Sequence, residues 1–260
     1  MKNESESIQV NKYISNAGFC SRREADSYIE QGRVTINENI VLLGARVYPG
    51  DVVAVDGERV KLKTGRQSVY IAFNKPKGVT STTDPKDKSN IIYFINHPKR
   101  IFPIGRLDKD SEGLILLTND GDIVNKILRA GNEHEKEYAV TVNKPITPDF
   151  VKRMSSGVPV LGTKTKPCVV KQDGNKKFRI ILTQGLNRQI RRMCEFLGYD
   201  VISLKRIRIM NITLSNIPVG KWRNLSFTEV ENLNKALAHS VKTEEASRIH
   251  NKPKGRPVNR

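Results

Sequence analysis

The sequence predicts an α+β protein in two parts, a small N-terminal domain at residues 8–60 and a larger domain at residues 69–239. Three patterns carry this expectation. Helical spacing followed by short β-type runs fills residues 8–60. Lys61-Leu-Lys-Thr-Gly-Arg-Gln-Ser68 is polar and unpatterned, which suits a linker over 61–68. Beyond it, apolar runs of strand length alternate with helix signatures that carry their own start and stop residues.

In the first part, Val10 to Ala17 reads as a helix stopped by Gly18. Ser21 and Glu24 form a capping-box pair that starts a second helix running to Gly32. Val34–Ile36, Ile40–Leu42 and Val52–Val55 read as strands, punctuated by Asn37-Glu38, Pro49-Gly50 and Asp56-Gly57. Arg22 and Arg23 lie at the second helix's start, where guanidinium groups and free backbone amides can hold phosphates, and Arg33 leaves its other end. A solvated helix face fits the same spacing.

Val69–Phe73 opens the larger domain as a strand, followed by a turn at Asn74–Val79. Lys75 and Lys77 in that turn either touch a polyanion or sit on the surface. Residues 80–100 read as a loop with a short apolar piece, Ile91–Ile95. Asp122–Arg129 reads as a helix, Glu135–Val142 as a strand, and Thr147-Pro148 opens a helix ending near Gly157. Pro159–Val170 and Phe178–Leu182 read as strands, with Asp173-Gly174 as the turn between them. Asn187 is a candidate cap for a helix ending at Gly198. There Ile190, Met193, Cys194 and Leu197 make one apolar face, and Arg188, Arg191, Arg192 and Glu195 a charged one. Strands are expected around Val201–Leu204 and Ile207–Leu214. Trp222 is expected to plug the core's edge, and Ser226 with Glu229 starts a helix toward His239. Residues 240–260 are polar and basic and are expected to be disordered.

The stretch richest in chemistry is Ile104-Gly-Arg-Leu-Asp-Lys-Asp-Ser-Glu-Gly-Leu-Ile-Leu-Leu-Thr-Asn-Asp120, read as strand, tight acidic loop, strand. Asp108 stands beside Arg106 and Lys109, so it is poised to stay ionised and suits a nucleophile. Spacing leaves three readings: a solvated turn, a calcium loop, or catalysis. Asp108-x-Asp110-x-Glu112-Gly113 copies the start of an EF-hand. However, position twelve is Asn119 and the flanks read as strands.

Charge and composition narrow the partner. The net charge is +18. Residues 1–64 balance nine basic against nine acidic side chains, residues 65–234 hold 29 against 16, and residues 235–260 hold seven against two. A polyanion is the expected partner, nucleic acid before membrane. No apolar run approaches a membrane span, and the polar start carries no signal-peptide core, so a cytoplasmic protein is expected. Cys20, Cys168 and Cys194 are scattered, which suits reduced thiols rather than disulfides or zinc. No metal-ligand cluster and no dinucleotide-type glycine loop is evident, so neither metal nor cofactor is expected. The missing glycine loop also disfavours an RNA methyltransferase.

Gly105-Arg106-Leu107-Asp108, with Ser111-x-Gly113 through Gly121, resembles the catalytic motif of pseudouridine synthases, in the RsuA branch that modifies single uridines in ribosomal RNA. Ala17–Ala25 and Ile29–Asn37 resemble the S4 (α-L type) RNA-binding domain. Lys136-x-Tyr138 and Asn187-Arg188-Gln189-Ile190-Arg191 are similar to two further motifs of the synthase branch. The resemblance implies a catalytic domain built on a mixed, mainly antiparallel sheet flanked by helices. It implies Asp108 as nucleophile, Tyr138 packing on the uracil ring, and Arg191 pairing with Asp108. RNA contacts are implied for Arg106, Leu107, Lys109, Arg188, Gln189 and Ile190, with Ile190 under the base. Asn119–Asn132 and His134–Tyr138 are most similar to the F group of large-subunit synthases. That group isomerises one uridine of 23S ribosomal RNA, usually numbered 2604, and can act on the anticodon uridine of a tyrosine tRNA. The implied partners are therefore a 23S stem-loop and a tyrosine tRNA, met by a monomer. A catalytically silent RNA-binding or ribosome-assembly factor remains the alternative.

Overall fold

The computed structural model describes residues 7–62, 68–238 and 240. Most of the expected linker and the basic tail from 241 lie outside the described residues. The chain divides into two compact units between Gln67 and Ser68.

The first unit runs β1 (Ile8–Gln9), α1 (Val10–Ala17), α2 (Arg22–Glu30), β2 (Val34–Ile36), β3 (Asn39–Ile40), β4 (Arg46–Val47), β5 (Val53–Val55) and β6 (Glu58–Val60). Gly18 ends α1 in the left-handed conformation, at φ 85°. The capping box of α2 is complete: the Glu24 amide donates to Ser21 Oγ at 3.1 Å, and the Ser21 amide donates to the Glu24 carboxylate at 2.7 Å. An antiparallel sheet ordered β3-β2-β5-β6 packs Val34, Val53 and Val55 with Ile14, Ala25 and Ile29 of the helices. Burying each valine or isoleucine contributes about 1.5–3 kcal/mol. The sequence missed β1, β4 and β6, because two or three residues carry no readable period.

The second unit comprises β7 (Tyr70–Lys75), α3 (Ile91–Ile95), β8 (Phe102–Ile104), β9 (Glu112–Thr118), α4 (Gly121–Leu128), β10 (Lys136–Val142), α5 (Pro148–Ser155), β11 (Pro159–Val160), β12 (Thr163–Lys164), β13 (Val169–Gly174), β14 (Lys177–Leu182), α6 (Gln189–Phe196), β15 (Val201–Ile209), β16 (Ile212–Thr213), β17 (Trp222–Asn224) and α7 (Phe227–Leu237). Seven strands lie in the order β13-β14-β10-β15-β9-β7-β17, with β8 on β9 and β16 on β15. The β9–β15 seam is parallel and the other pairs are antiparallel, so the sheet is mixed and mainly antiparallel, as expected. β9 is an unbroken apolar run because both its faces are covered. Leu114 and Leu116 pack with Ile123 and Ile127 of α4 and with Leu233 and Leu237 of α7. Ile115 and Leu117 pack with Phe73 of β7 and with Ile91 and Ile95 of α3.

Several local expectations are corrected. Pro159–Val170 is not one strand: Leu161 (φ 52°) and Gly162 (φ 74°) turn the chain between β11 and β12. The β13–β14 turn falls at Asn175-Lys176, since Gly174 still pairs with Lys177. Residues 201–209 form a single strand. Asn187 does not cap α6. Arg188 holds that position in the left-handed conformation, and Asn187 Oδ1 instead accepts from Arg192 at 3.2 Å. Trp222 lies on the edge strand, 36% exposed, with its ring against His97. Lys75 is not on the surface: it ends β7 and is fully buried. All three cysteines are free thiols, and burial pushes Cys168 up to about 11 and Cys194 up to about 12. No helix among the described residues is long and apolar enough to cross a membrane.

Candidate active site

The loop between β8 and β9 carries Asp108, and it is held from three sides. Within it, the Ser111 amide donates to Asp108 O at 3.0 Å. From the segment after β7, buried Ser81 accepts from the Leu107 amide at 3.1 Å and donates to Leu107 O at 2.8 Å, while the Gly78 amide donates to Lys109 O at 2.8 Å. From α6, Arg191 Nη2 donates to Asp110 O and to Ser111 Oγ, each at 3.3 Å, and Nη1 donates to Val201 O at 3.2 Å.

Asp108 stands at a cleft of about 520 Å³. Arg106, Leu107 and Lys109 of its loop line it, as do Lys136 and Tyr138 of β10, Arg188, Gln189 and Ile190 at the start of α6, and Arg206 of β15. Arg106, Lys109 and Arg188 are exposed, whereas Leu107, Gln189 and Ile190 are buried and form the floor. Gln189 Oε1 accepts from the Leu186 amide at 3.0 Å, so it also fixes the turn that enters α6. Tyr138 is half-buried on the sheet and packs against two of the buried apolar clusters.

The ion pairs differ from the expected pattern. Arg188 Nη1 is the cation beside Asp108, 3.6 Å from Oδ2. Arg191 pairs with Asp110 at 3.2 Å rather than with Asp108. Asp110 also takes Arg188 at 3.2 Å. Burial works to raise the Asp110 carboxyl, but the Arg188 hydrogen bond and the charges of Arg191 and Arg188 outweigh it and hold the group below the usual carboxylate range. Asp110 thus carries two arginines and is no free calcium ligand. Among the described residues, no three His, Cys, Asp or Glu side chains are grouped to hold a metal.

Three buried cations lie at or near the cleft: Lys75, which the sequence placed in a turn as a polyanion contact or a surface residue, and two that carried no site role there. Lys75 donates to the carbonyls of Pro76 and Val79 at 3.0 and 2.8 Å. Burial pushes its ammonium down to about 8, although Asp108 and Asp110 pull the other way. Lys136 and Arg206 are the other two, both buried at the cleft. The periodicity held a signal for Arg206, because it keeps the phase of buried Leu204 on β15.

The RNA pseudouridylate synthase family matches residues 69–196, and the S4 domain matches residues 10–53. The dual-specificity RNA pseudouridine synthase RluF of Escherichia coli K12 is 56% identical over 96% of this chain and 85% of its own length. The chain belongs to the RNA pseudouridine synthase family. The ribosomal large subunit pseudouridine synthase B of Bacillus subtilis is 36% identical to this synthase, covering 88% of it and 96% of the relative. A pseudouridylate synthase crystal structure superposes with TM-score 0.65 and 29% identity, over 87% of this synthase and 99% of that chain. The synthase therefore pairs an S4 domain in its first unit with a catalytic domain in its second, and the cleft at Asp108 lies wholly in the second. Arg22 and Arg23 are exposed at the start of α2 in the S4 domain. Arg33 is engaged within that domain, by Asp56 at 2.9 and 2.6 Å and over the Tyr28 ring at 4.3 Å.

Proposed function

We propose that this synthase isomerises one uridine in a stem-loop of 23S ribosomal RNA and also the anticodon uridine of a tyrosine tRNA. It works as a monomer in the cytoplasm, without a cofactor. The observation that carries the reading is the position of Asp108, a partly exposed carboxylate at a cleft whose other walls include Tyr138 and Ile190. The cleft has the volume of a small-ligand site, enough for one nucleotide out of its stack. Likeness to a synthase named for dual specificity supports two RNA substrates. The excess positive charge of residues 65–234 supports RNA as the partner.

The chemistry follows from the residues present. The target uridine leaves its stack and its ring lies against Tyr138, with Ile190 beneath. Asp108 acts on the ribose, by adding to C1′ or by first taking the C2′ proton. On either route the C1′–N1 bond breaks and its electron pair stays with the uracil ring. The ring turns and C5 bonds to C1′, as the Asp108 carboxylate leaves C1′ on the first route or as Asp108 returns the proton to C2′ on the second. The C5 proton leaves with the help of Tyr138, and N1 takes up a proton. Product and substrate have the same atoms, so no oxidant or group donor enters. Arg106 fills the gap left in the RNA or meets a phosphate, Lys109 adds charge at the rim, and Arg188 aligns Asp108. Arg191 acts through Asp110 and Ser111 by fixing the loop.

Pseudouridine mapping of 23S ribosomal RNA and tyrosine tRNA, incubated with the protein or with Asp108→Asn, tests this. One new pseudouridine in each RNA, absent with the variant although it still binds, is the expected result. RNA binding by both proteins with no modification of any RNA would leave a binding factor instead.

A further inference from the structure

Arg206 is the most confined cation in the cleft. It sits on β15 in register with Tyr138 of β10 on one side and Gly113 of β9 on the other. Only 3% of it is exposed. Its Nε donates to Leu114 O at 2.7 Å, which ties it to β9. Its Nη2 is buried and has no hydrogen-bond partner among the described residues. Its guanidinium carbon lies 6.0 Å from the centre of the Tyr138 ring, and no carboxylate pairs with it among the described residues. Lys136, also at the cleft, is 9% exposed and donates to His134 O at 3.2 Å. Burial, reinforced by the Arg206 charge, pushes the Lys136 ammonium down to about 8.

Two desolvated cations without a carboxylate are costly to the fold. Stapling β15 to β9 accounts for Nε but leaves Nη2 unexplained. A backbone phosphate does not suit it either, since the exposed cations at the rim are Arg106 and Lys109. The base that would stack on Tyr138, whose ring centre lies 6.0 Å from the Arg206 guanidinium carbon, carries carbonyl acceptors. Uracil has two carbonyl oxygens, and when C1′–N1 breaks with its electron pair on N1, the negative charge spreads onto both. A fixed, water-poor guanidinium favours that detached ring more than the neutral substrate, which is the condition for accelerating the step.

We infer that Arg206 is a further catalytic residue of this synthase, which hydrogen-bonds a carbonyl oxygen of the detached uracil ring through Nη2 and stabilises its negative charge while the ring turns, with Lys136 adding to the field. The inference rests on the isomerase reading of the cleft, and it holds whether Asp108 adds to C1′ or first takes the C2′ proton.

The test uses the full chain and whichever of the two RNAs it modifies, with uridine or 5-fluorouridine at the target. Fluorine at C5 withdraws electrons and makes the ring a better leaving group, so it reduces the need for the guanidinium. Single-turnover loss of the target's C1′–N1 bond, a step both RNAs can undergo although a 5-fluoro ring bonded through C5 has no C5 proton to lose, is measured with RNA affinity and thermal melting for the parent, Arg206→Met, Arg206→Lys and Lys136→Met. Arg206→Met is expected to slow uridine rearrangement by about 10²–10³ with RNA affinity kept within about threefold. Arg206→Lys should recover about tenfold of that loss, and 5-fluorouridine should shrink the Arg206→Met deficit by about tenfold. A parent-like rate for Arg206→Met, or a deficit equal on both RNAs, overturns the inference. If Arg206→Met fails to melt cooperatively, Arg206→Lys and Lys136→Met carry the same uridine against 5-fluorouridine comparison. A parent protein that modifies neither RNA would instead strike at the substrate assignment.

Discussion

Arg188 stands 3.6 Å from Asp108, while Arg191, one helical turn further along, holds Asp110 at 3.2 Å and Ser111 at 3.3 Å. One arginine therefore meets the Asp108 carboxylate and the other braces the loop that presents it. Their substitution should separate accordingly. Arg188→Ala removes an exposed pair, so stability should stay within about 0.5 kcal/mol. Its single-turnover rate should still fall about tenfold or more. Arg191→Ala strips donors from two backbone carbonyls and a buried hydroxyl, and should lose about 1–3 kcal/mol of stability together with activity. Melting curves and single-turnover rates of the two variants check this. Equal stability losses would mean that the two arginines share one role.

Gly113 is where the Asp108 loop joins the parallel seam. Its φ is +105°, and a Cβ there would lie 2.3 Å from Arg206 O and 2.8 Å from Arg206 N. Both are backbone atoms of the neighbouring strand and cannot swing away. Gly113→Ala should therefore force β9 and β15 apart and cost about 3 kcal/mol or more. The loss would fall on the element that positions both Asp108 and Arg206. Melting followed by the fluorescence of Trp222, which lies in this unit, should show a large drop; a shift of under a degree would contradict the close approach.

Lys136 gives a pH signature. Burial holds its ammonium at about 8 in the folded protein, against 10.5 for the ordinary group, and Arg206 is the charge that pushes the same way. Below pH 8 both folded and unfolded chains carry the proton, so the cost of burying the charge is fully present. Between about pH 8 and 10.5 the unfolded chain binds more protons than the folded one, and stability from this group rises with pH. Lys136→Met should thus be more stable than the parent at pH 7, and the gap should narrow by about 1–3 kcal/mol by pH 10. Denaturant titrations of both proteins at the two pH values measure it. A gap independent of pH would place the lysine in contact with water.

The parts legible in the sequence were those with local causes. The Ser21–Glu24 and Ser226–Glu229 capping boxes both formed, Thr147 capped α5, and the apolar run 114–117 became part of the interior strand β9. What escaped depended on contacts between distant segments. Asn187 looked like a cap, but the left-handed backbone at Arg188 moved the start of α6 and with it the arginine that reaches Asp108. Lys75 read as a turn residue, yet β7 extends through it because it pairs with Gly113. Arg206 belonged to none of the motifs that the sequence singled out. Only the partners of β15, Gly113 and Tyr138, bring it to the cleft.

The S4 domain offers a test in which three arginines with similar sequence warrant part ways. Arg22 and Arg23 project from the start of α2 and are exposed, beside the complete Ser21–Glu24 box. Arg33 is clamped by Asp56 and lies over Tyr28, so a phosphate would have to displace an existing ion pair. Each phosphate contact contributes about 0.7–0.9 to the slope of log affinity against log salt. The double variant Arg22→Ala, Arg23→Ala should therefore flatten that slope by about 1.5 and weaken binding most at low salt. Arg33→Ala should leave the slope nearly unchanged and lower the melting temperature of the domain instead. Salt titrations of RNA binding for the two variants decide between them. An equal flattening by Arg33→Ala would show that its guanidinium leaves Asp56 for the RNA.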